Sequence, residues 1–359
     1  MQSQQEAVLE DFMQRSFGAP FLYLPQKFRK ASGHREPADL LWTDSGLAVL
    51  FYMNESRASL ARQVEHNLVQ ANGYLRLWST GKPVYALRGT NRFGDTCYLP
   101  HTAVQQLITF LVVSSECNVH YAACSAYKTP RAVIVIPEIL LRWISDYGGT
   151  VADLLSIVTL ALHRSAVLDP AFDLTELRHL VDAYASQQTA SDRLRSKNST
   201  LSDYESALVA HYLGWMKVPS DAAKAFKTTE TRAEAARVFG SLSFLDFCDL
   251  ARMAQDAISS LERGSDRPEI VTKVGTACNL IVMTWPENLG ADAAQTMVTA
   301  FEAAGGTTPT LGFAYRKIFG NVPLTPAVIH VGHGDWGARV RTLATQLVSQ
   351  GPTAGGAAS

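Results

Sequence analysis

The sequence predicts an α/β domain followed by an all-α domain, and three observations carry that expectation. Between Gly33 and Trp78 the chain reads as a strand, a tight turn, a very apolar strand and a helix. Further on, AVIVIP at 132–137 is another apolar, β-branched run of strand length. From Val151 to Arg263 the apolar positions recur instead at helical spacing, with polar joints between segments. The boundary therefore falls in the Asp146-Tyr-Gly-Gly149 break, giving an α/β domain over 1–147 and a helical domain over 148–350. The tail 351–359, GPTAGGAAS, is low in complexity and is expected to be disordered.

Each element has a local reason. Gln4 to Gln14 forms an opening helix, with Val8, Leu9 and Phe12 as its apolar stripe and Glu6, Glu10 and Asp11 on the solvated side. FLYLPQKF at 21–28 is a strand in which Pro25 implies an edge or a bulge. Lys27, Arg29 and Lys30 follow and, with Arg35, form the densest basic cluster of the first half, suited to a phosphate backbone or to an exposed sheet edge. Asp44-Ser45-Gly46 supplies the turn into the strand Leu47 to Met53. The helix from Ser59 to Trp78 has Leu60, Val64, Leu68, Ala71 and Leu75 as its core face. Beside that face Gln63, Asn67, Gln70 and Tyr74 form one polar row, fit to bind a substrate or to tie the helix to the sheet.

KPVYALRG at 82–89 is a further strand, with short strands at 97–100 and 119–124 and a segment at 107–113 that is either helical or extended. Glu138 begins a helix through Trp143. In the second half Asp173 and Ser202 are helix caps, and helices are expected over Ile270 to Thr284 and Ala291 to Ala304.

Composition narrows the classes. Of the 359 residues 47% are apolar and 18% charged, and the net charge of −1 exerts no global pull on nucleic acid or acidic membranes. No leader and no apolar run long enough for a membrane span is recognised, and five irregularly spaced cysteines read as reduced thiols, so a cytoplasmic protein is expected. Cys117, His120 and Cys124, and separately His330, His333 and Asp335, have a faint metal-site spacing. Core thiols explain the first group, and a glycine-rich turn before a helix near Gly337 explains the second. Neither a phosphate-cradling glycine loop nor a triad of nucleophile, base and acid has local support.

The stretch from Gly33 to Trp78 resembles the PD-(D/E)xK, or restriction-endonuclease-like, nuclease superfamily. The resemblance rests on EPAD at 36–39, the hairpin, the apolar strand and Gln70-x-x-x-Tyr74, which is similar to the signature of the RecB-like branch. It implies a mixed sheet flanked by helices over roughly residues 1–135, with Asp39 as the first metal-binding aspartate. Aligning GLAVLFYMN with the family's strand puts Phe51 at the acidic position and Met53 at the lysine, and neither can hold Mg²⁺ or move a proton. Residues 51, 53 and 55 share a face of a strand, so Glu55 is the displaced acid of an active alternative, with Glu36 or Glu65 as a further carboxylate and Lys27 or Lys30 as the cation.

Three functions follow. The leading one is a catalytically degenerate nuclease-like scaffold, with no cofactor, that binds DNA, RNA or a protein in bacterial defence or DNA processing. Lys27, Arg29, Lys30, Arg35, Gln63, Asn67 and Tyr74 would meet the nucleic acid, and the helical domain would meet protein partners. The second is an active nuclease using Mg²⁺, with Asp39, Glu55 and Gln70 as catalytic residues and Asp39, Glu36 and Glu55 as metal ligands. The third is an interaction protein with no nucleic-acid role.

Overall fold

The computed structural model describes residues 8, 21–30, 33–44, 46–54, 58–91, 94–122, 131–146, 151–167, 174–193, 242, 244–264, 269–275, 278–285, 309–317, 322, 326, 328–332 and 334–351. The chain divides into two units, Met1–Ala185 with Val340–Ser359, and Ser186–Arg339.

The first unit is built on a mixed eight-stranded sheet in the order β7-β6-β1-β4-β5-β8-β10-β9. Its strands are β1 (Leu22–Pro25), β4 (Leu40–Asp44), β5 (Leu47–Asn54), β6 (Leu87–Asn91), β7 (Thr96–Leu99), β8 (Gln106–Val113), β9 (His120–Tyr121) and β10 (Arg131–Pro137). A separate two-stranded ribbon pairs β2 (Phe28–Lys30) with β3 (Gly33–Arg35). The helices here are α1 (Leu60–Trp78), α2 (Glu138–Asp146), α3 (Val151–Val167) and α4 (Leu174–Arg193), the last of which runs past the end of the unit. The C-terminal helix, α6 (Ala338–Gln350), joins this unit from Val340 onward. There Tyr121 Oη donates to Leu347 O at 2.9 Å, and Gln106 Nε2 bonds Thr345 Oγ1.

The hairpin β4–β5 forms where its turn residues predict it, closing on the pair Asp44–Leu47 with Gly46 at φ 83°. After β5 the chain runs through α1 to the far edge of the sheet, forms β6 and β7 there, and only then returns as β8, parallel to β5; β10 adds parallel to β8. These three strands are buried along nearly their whole length, which is why they read as continuous apolar runs rather than as alternation. On one face Leu50 and Tyr52 join Leu107, Leu111, Val133 and Val135 under Ala71, Tyr74, Leu75 and Trp78 of α1. Phe51 points the other way and packs on Phe110, with ring centroids 5.4 Å apart.

Three expectations about the first unit are corrected, and an open alternative at 107–113 is decided. Residues 83–85 form a short 3-10 turn, and the strand starts only at Leu87. The segment 107–113 is extended. Strand β1 is interior, lying between β4 and β6; its pairs with β4 involve only Leu22 and Tyr23, so Pro25 has β6 as its single neighbour and its missing N–H interrupts no second ladder. Helix α1 is rotated from the face its apolar residues suggest: Gln63 and Asn67 are fully buried, whereas Leu60, Val64 and Leu68 are only partly so.

The second unit overturns the all-α expectation. Its helix α5 (Phe244–Glu262) fits the helical pattern, but a four-stranded sheet follows in the order β11-β12-β13-β14. These strands are β11 (Ile270–Val274), β12 (Asn279–Trp285), β13 (Thr310–Arg316) and β14 (Val328–Val331). Residues 270–284 form a hairpin rather than a helix, because Ile270, Val271, Thr272 and Val274 are β-branched and the turn closes with Gly275 N–H donating to Cys278 O at 2.8 Å. A buried ion pair between Asp249 of α5 and Lys273 of β11 ties helix to sheet. The division after Ala185 also differs from the expected boundary at 147/148, since α3 belongs with the first sheet; there Asp153 accepts a hydrogen bond from Tyr184 Oη of α4 at 2.7 Å. The opening helix beyond Val8, the helix at 291–304 and the tail beyond Gly351 lie outside the described residues. Among the described residues no helix is long and apolar enough to cross a membrane.

Two glycines test this packing with opposite signs. A Cβ on Gly89 would stand 2.8 Å from Tyr23 Cβ and 2.9 Å from Leu24 O, whereas one on Gly73 in α1 meets nothing within 4 Å. Gly89→Ala is expected to cost about 1–3 kcal/mol. Gly73→Ala is expected to gain about 0.5–1 kcal/mol from helix propensity. Urea unfolding midpoints of the two variants should move in opposite directions; a shift of the same sign in both would contradict the close approach of β1 to β6.

Candidate functional site

Asp39 sits just before β4, at the end of the EPAD segment, and is fixed to β5 from both its backbone and its side chain. Its N–H donates to Phe51 O at 3.0 Å, and its Oδ2 accepts from Met53 N–H at 2.6 Å. Strand β5 outlasts β4, so the carboxylate satisfies a ladder donor that no strand residue reaches. The pairing Leu40–Phe51 places Asp39 opposite Tyr52. Tyr52 is itself buried, and its Oη donates to Pro37 O, clamping EPAD from the other side.

Phe51 and Met53 were aligned with the family's acid and lysine, but Phe51 faces Phe110 on the opposite side of the sheet. The β5 side chain that lines the site is Tyr52. Glu55, the displaced acid of the active alternative, lies outside the described residues.

Above Asp39 is a cleft of about 410 Å³ whose lining includes Phe28, Glu36, Tyr52, His66, Gln70 and Tyr74. Helix α1 supplies the last three. Phe28 packs on Tyr74 at 5.4 Å and edge-on to Tyr85 at 5.7 Å, and Tyr74 Oη donates to Tyr85 O at 2.8 Å. On the rim Gln70 Nε2 lies 2.9 Å from His66 Nε2, a contact in which the amide donates and the imidazole accepts.

The rest of the polar row has another task. Asn67 Nδ2 donates to Tyr52 O at 3.2 Å and to Val112 O at 3.1 Å, bridging the ends of β5 and β8. Gln63 Oε1 accepts from Ser114 N–H at 3.0 Å, and its Nε2 donates to Ala58 O and Ser115 Oγ, both at 2.8 Å. With Gln63 1% and Asn67 0% exposed, neither reaches a nucleic acid. Tyr74 is 4% exposed and offers the cleft a ring rather than a hydroxyl proton, which corrects its assignment as a nucleic-acid contact.

Of the basic cluster only Lys27 has a described side chain. Lys27 Nζ is paired with Glu36 Oε1 at 2.8 Å, and both side chains are about half exposed or more. Arg29, Lys30 and Arg35 lie on the β2–β3 ribbon, where Phe28 pairs with Arg35, and Arg29 with His34; their side chains are outside the described residues. Glu65 is exposed on α1 and does not line the cleft. The sequence missed Tyr52, Phe28 and His66. The only signal was the spacing of His66 and Gln70, four apart on one helix.

Burial is the largest influence on Asp39, pushing its carboxyl from 3.8 up to about 6; Met53 N–H opposes the rise, Glu36 adds to it and His66 opposes it. Burial also raises the Tyr74 phenol. A hard divalent ion wants several oxygen ligands converging on one point. The described residues do not fit that need: Asp39 spends one oxygen on Met53, Glu36 is paired with Lys27, and Tyr52, the residue opposite Asp39, carries no carboxylate.

The other proposed ligand groups fare no better. Among the described residues no three His, Cys, Asp or Glu side chains are grouped to hold a metal. The Cys117 thiol is pushed up to about 12 by burial, His120 Nδ1 lies 2.8 Å from Asn118 O, and Cys124 lies outside the described residues. Asp335 caps the start of α6, accepting from Gly337 N–H at 3.2 Å, while His333 and the side chain of His330 are outside them. Compared with known proteins, the chain matches no family model, no curated protein and no solved structure.

The Asp39 shift has a defined consequence for stability. Its folded-state value lies above the unfolded one, so between the two the folded chain binds more proton, and stability falls as pH rises from 3.8 to about 6. Asp39→Asn retains an acceptor for Met53 N–H but removes the titration. The melting temperature of the variant relative to wild type should therefore climb across that window and level off above it. Parallel profiles would show that the carboxyl does not carry this burial cost.

Proposed function

We propose that the first unit is a restriction-endonuclease-like domain that has lost hydrolysis and serves as a protein-interaction scaffold. The observation that carries this reading is Tyr52, a phenol opposite Asp39 at the place where the hydrolytic chemistry calls for a second metal-binding carboxylate. Support for the fold comes from the order of elements: an aspartate just before β4, a tight hairpin into an apolar β5, a helix bearing Gln70 and Tyr74, and, after the edge strands β6 and β7, a strand β8 parallel to β5. Fold and chemistry are separable, so such a frame keeps its shape when its catalytic side chains are replaced.

The charge around the cleft favours a protein ligand over a nucleic acid. Phosphate recognition uses unpaired cations and N–H donors. Here Asp39 and Glu36 contribute negative charge, and Lys27 is already engaged by Glu36.

The test is incubation of the full chain with labelled single- and double-stranded DNA and RNA in Mg²⁺ or Mn²⁺, with binding measured in parallel in EDTA. The expected outcome is no cleavage above background by wild type or Asp39→Ala, and no binding that weakens steeply with salt. Cleavage by wild type that Asp39→Ala abolishes would sink the scaffold reading and install a nuclease in its place.

A further inference from the structure

We propose that the cleft over Asp39 is a receptor for an organic cation on an aliphatic stem, the ammonium or guanidinium of a basic side chain. The inference rests on the reading of this unit as non-hydrolytic, and it adds the chemistry of the guest. Its basis is the balance of donors and acceptors in the walls. Tyr52 directs its only hydroxyl proton to Pro37 O, and Tyr74 directs its own to Tyr85 O. Both phenols therefore line the cleft with no O–H left to donate. Asp39 commits Oδ2 to Met53 N–H, and Oδ1 has no hydrogen-bond partner among the described residues. The Gln70 amide is turned onto His66. Apart from the His66 Nδ1–H and the second Gln70 N–H on the rim, what the described walls offer is thus acceptors and aromatic surface.

A guest that fits must bring its own donors, carry positive charge and have an apolar stem. An anion or a bare phosphate meets like charge from Asp39 and Glu36. A neutral apolar guest leaves the half-buried carboxylate uncompensated. An alkylammonium or alkylguanidinium satisfies both conditions: its head reaches Asp39 Oδ1, and its methylenes lie against Phe28, Tyr74 and Leu77. A volume of about 410 Å³ accommodates one such chain. Burial of Asp39, which raises its carboxyl to about 6, makes the empty site poor in compensating charge, and a cation supplies that charge.

Two sources carry this chemistry, a lysine or arginine within a partner protein and a free diamine or agmatine. The experiment is isothermal titration of the full chain at neutral pH with acetylated, amidated tripeptides centred on Lys or Arg. Matched peptides centred on norleucine or citrulline, then cadaverine, agmatine and AMP, complete the set. Binding of the Lys or Arg peptide but not of its neutral match is the expected result. Asp39→Asn should weaken it roughly ten- to hundredfold, the usual worth of a hydrogen bond to a charged partner. Asp39→Asn preserves an acceptor for Met53, and a thermal melt confirms that it folds. As a second variant, Gln70→Lys places a competing cation on an exposed rim position and should weaken binding without disturbing the core. Cadaverine or agmatine binding where the peptides do not would support the cation site and assign it to a free amine. Binding of AMP in preference to every cation, or cation binding unchanged by both variants, would overturn the proposal. So would the absence of binding by any cation at millimolar concentration; with no nucleic-acid cleavage, that result leaves the scaffold reading intact. Metal-dependent cleavage that needs Asp39 would overturn both.

Discussion

Two buried amides set the geometry on which the first unit depends. Gln63 and Asn67 lie on the face of α1 that meets the sheet, where an unpaired amide would cost more than its hydrogen bonds return in water. They are tolerated because β5 and β8 end beneath them: Gln63 Oε1 accepts from the Ser114 N–H, and Asn67 Nδ2 donates to Tyr52 O and Val112 O, which outweighs an Asn67 Oδ1 that has no partner among the described residues. Those bonds fix the rotation of the helix about its axis, and a helix of fixed rotation has fixed neighbours at every third and fourth position. His66, Gln70, Gly73 and Tyr74 consequently turn toward EPAD, while Leu60, Val64 and Leu68 shift to the edge of the core. The cleft is therefore a product of helix docking before it is a product of its own side chains.

The second constraint is the clamp on Asp39. A carboxylate half-buried among aromatic rings is unfavourable on its own, and here it is held because it completes the hydrogen bonding of β5 beyond the end of β4. Tyr52 adds the reciprocal hold on Pro37, so strand and segment fix each other. Three successive β5 residues thus have separate duties: Phe51 builds the opposite core, Tyr52 floors the cleft and Met53 caps Asp39 through its N–H. None of these roles is available to the residue next to it, because strand alternation assigns each side chain to one face.

That alternation also explains what the sequence made legible. The hairpin was readable because Gly46 and the flanking apolar runs are local signals, and the amide row was readable because its spacing is helical. The register of β5 against Asp39 was not local. It depends on where β4 begins, and a shift of one residue exchanges Tyr52 for Phe51 opposite Asp39. The rotation of α1 was hidden for a related reason: apolar residues outvote amides in a periodicity argument, yet buried strand ends can outweigh them in the fold. In the second unit, IVTKV and NLIVMTW are short apolar runs compatible with helix or strand, and the deciding feature is pairing across the turn at Gly275. The Asp249–Lys273 pair, which holds that hairpin to α5, leaves no trace in either segment alone.

The same physics relates the nuclease-like frame to the cleft it contains. A metal site of the proposed kind gathers carboxylates whose mutual repulsion is relieved only by the ion, so a frame without its second acid would lose both the need for the ion and the means of holding it. What remains is one aspartate whose desolvation is not fully offset: Met53 N–H engages one oxygen, and His66 supplies partial relief from the rim. On the proposed reading, Tyr52 in place of a second acid would shift the preferred cation from a small, strongly hydrated ion to one that can desolvate against aromatic rings. A carboxylate in such walls discriminates through the cost of leaving it unpaired, and that cost falls on every guest without positive charge. On the proposed reading, the residue that stands in place of the second acid would at once end hydrolysis and set the specificity of the cleft.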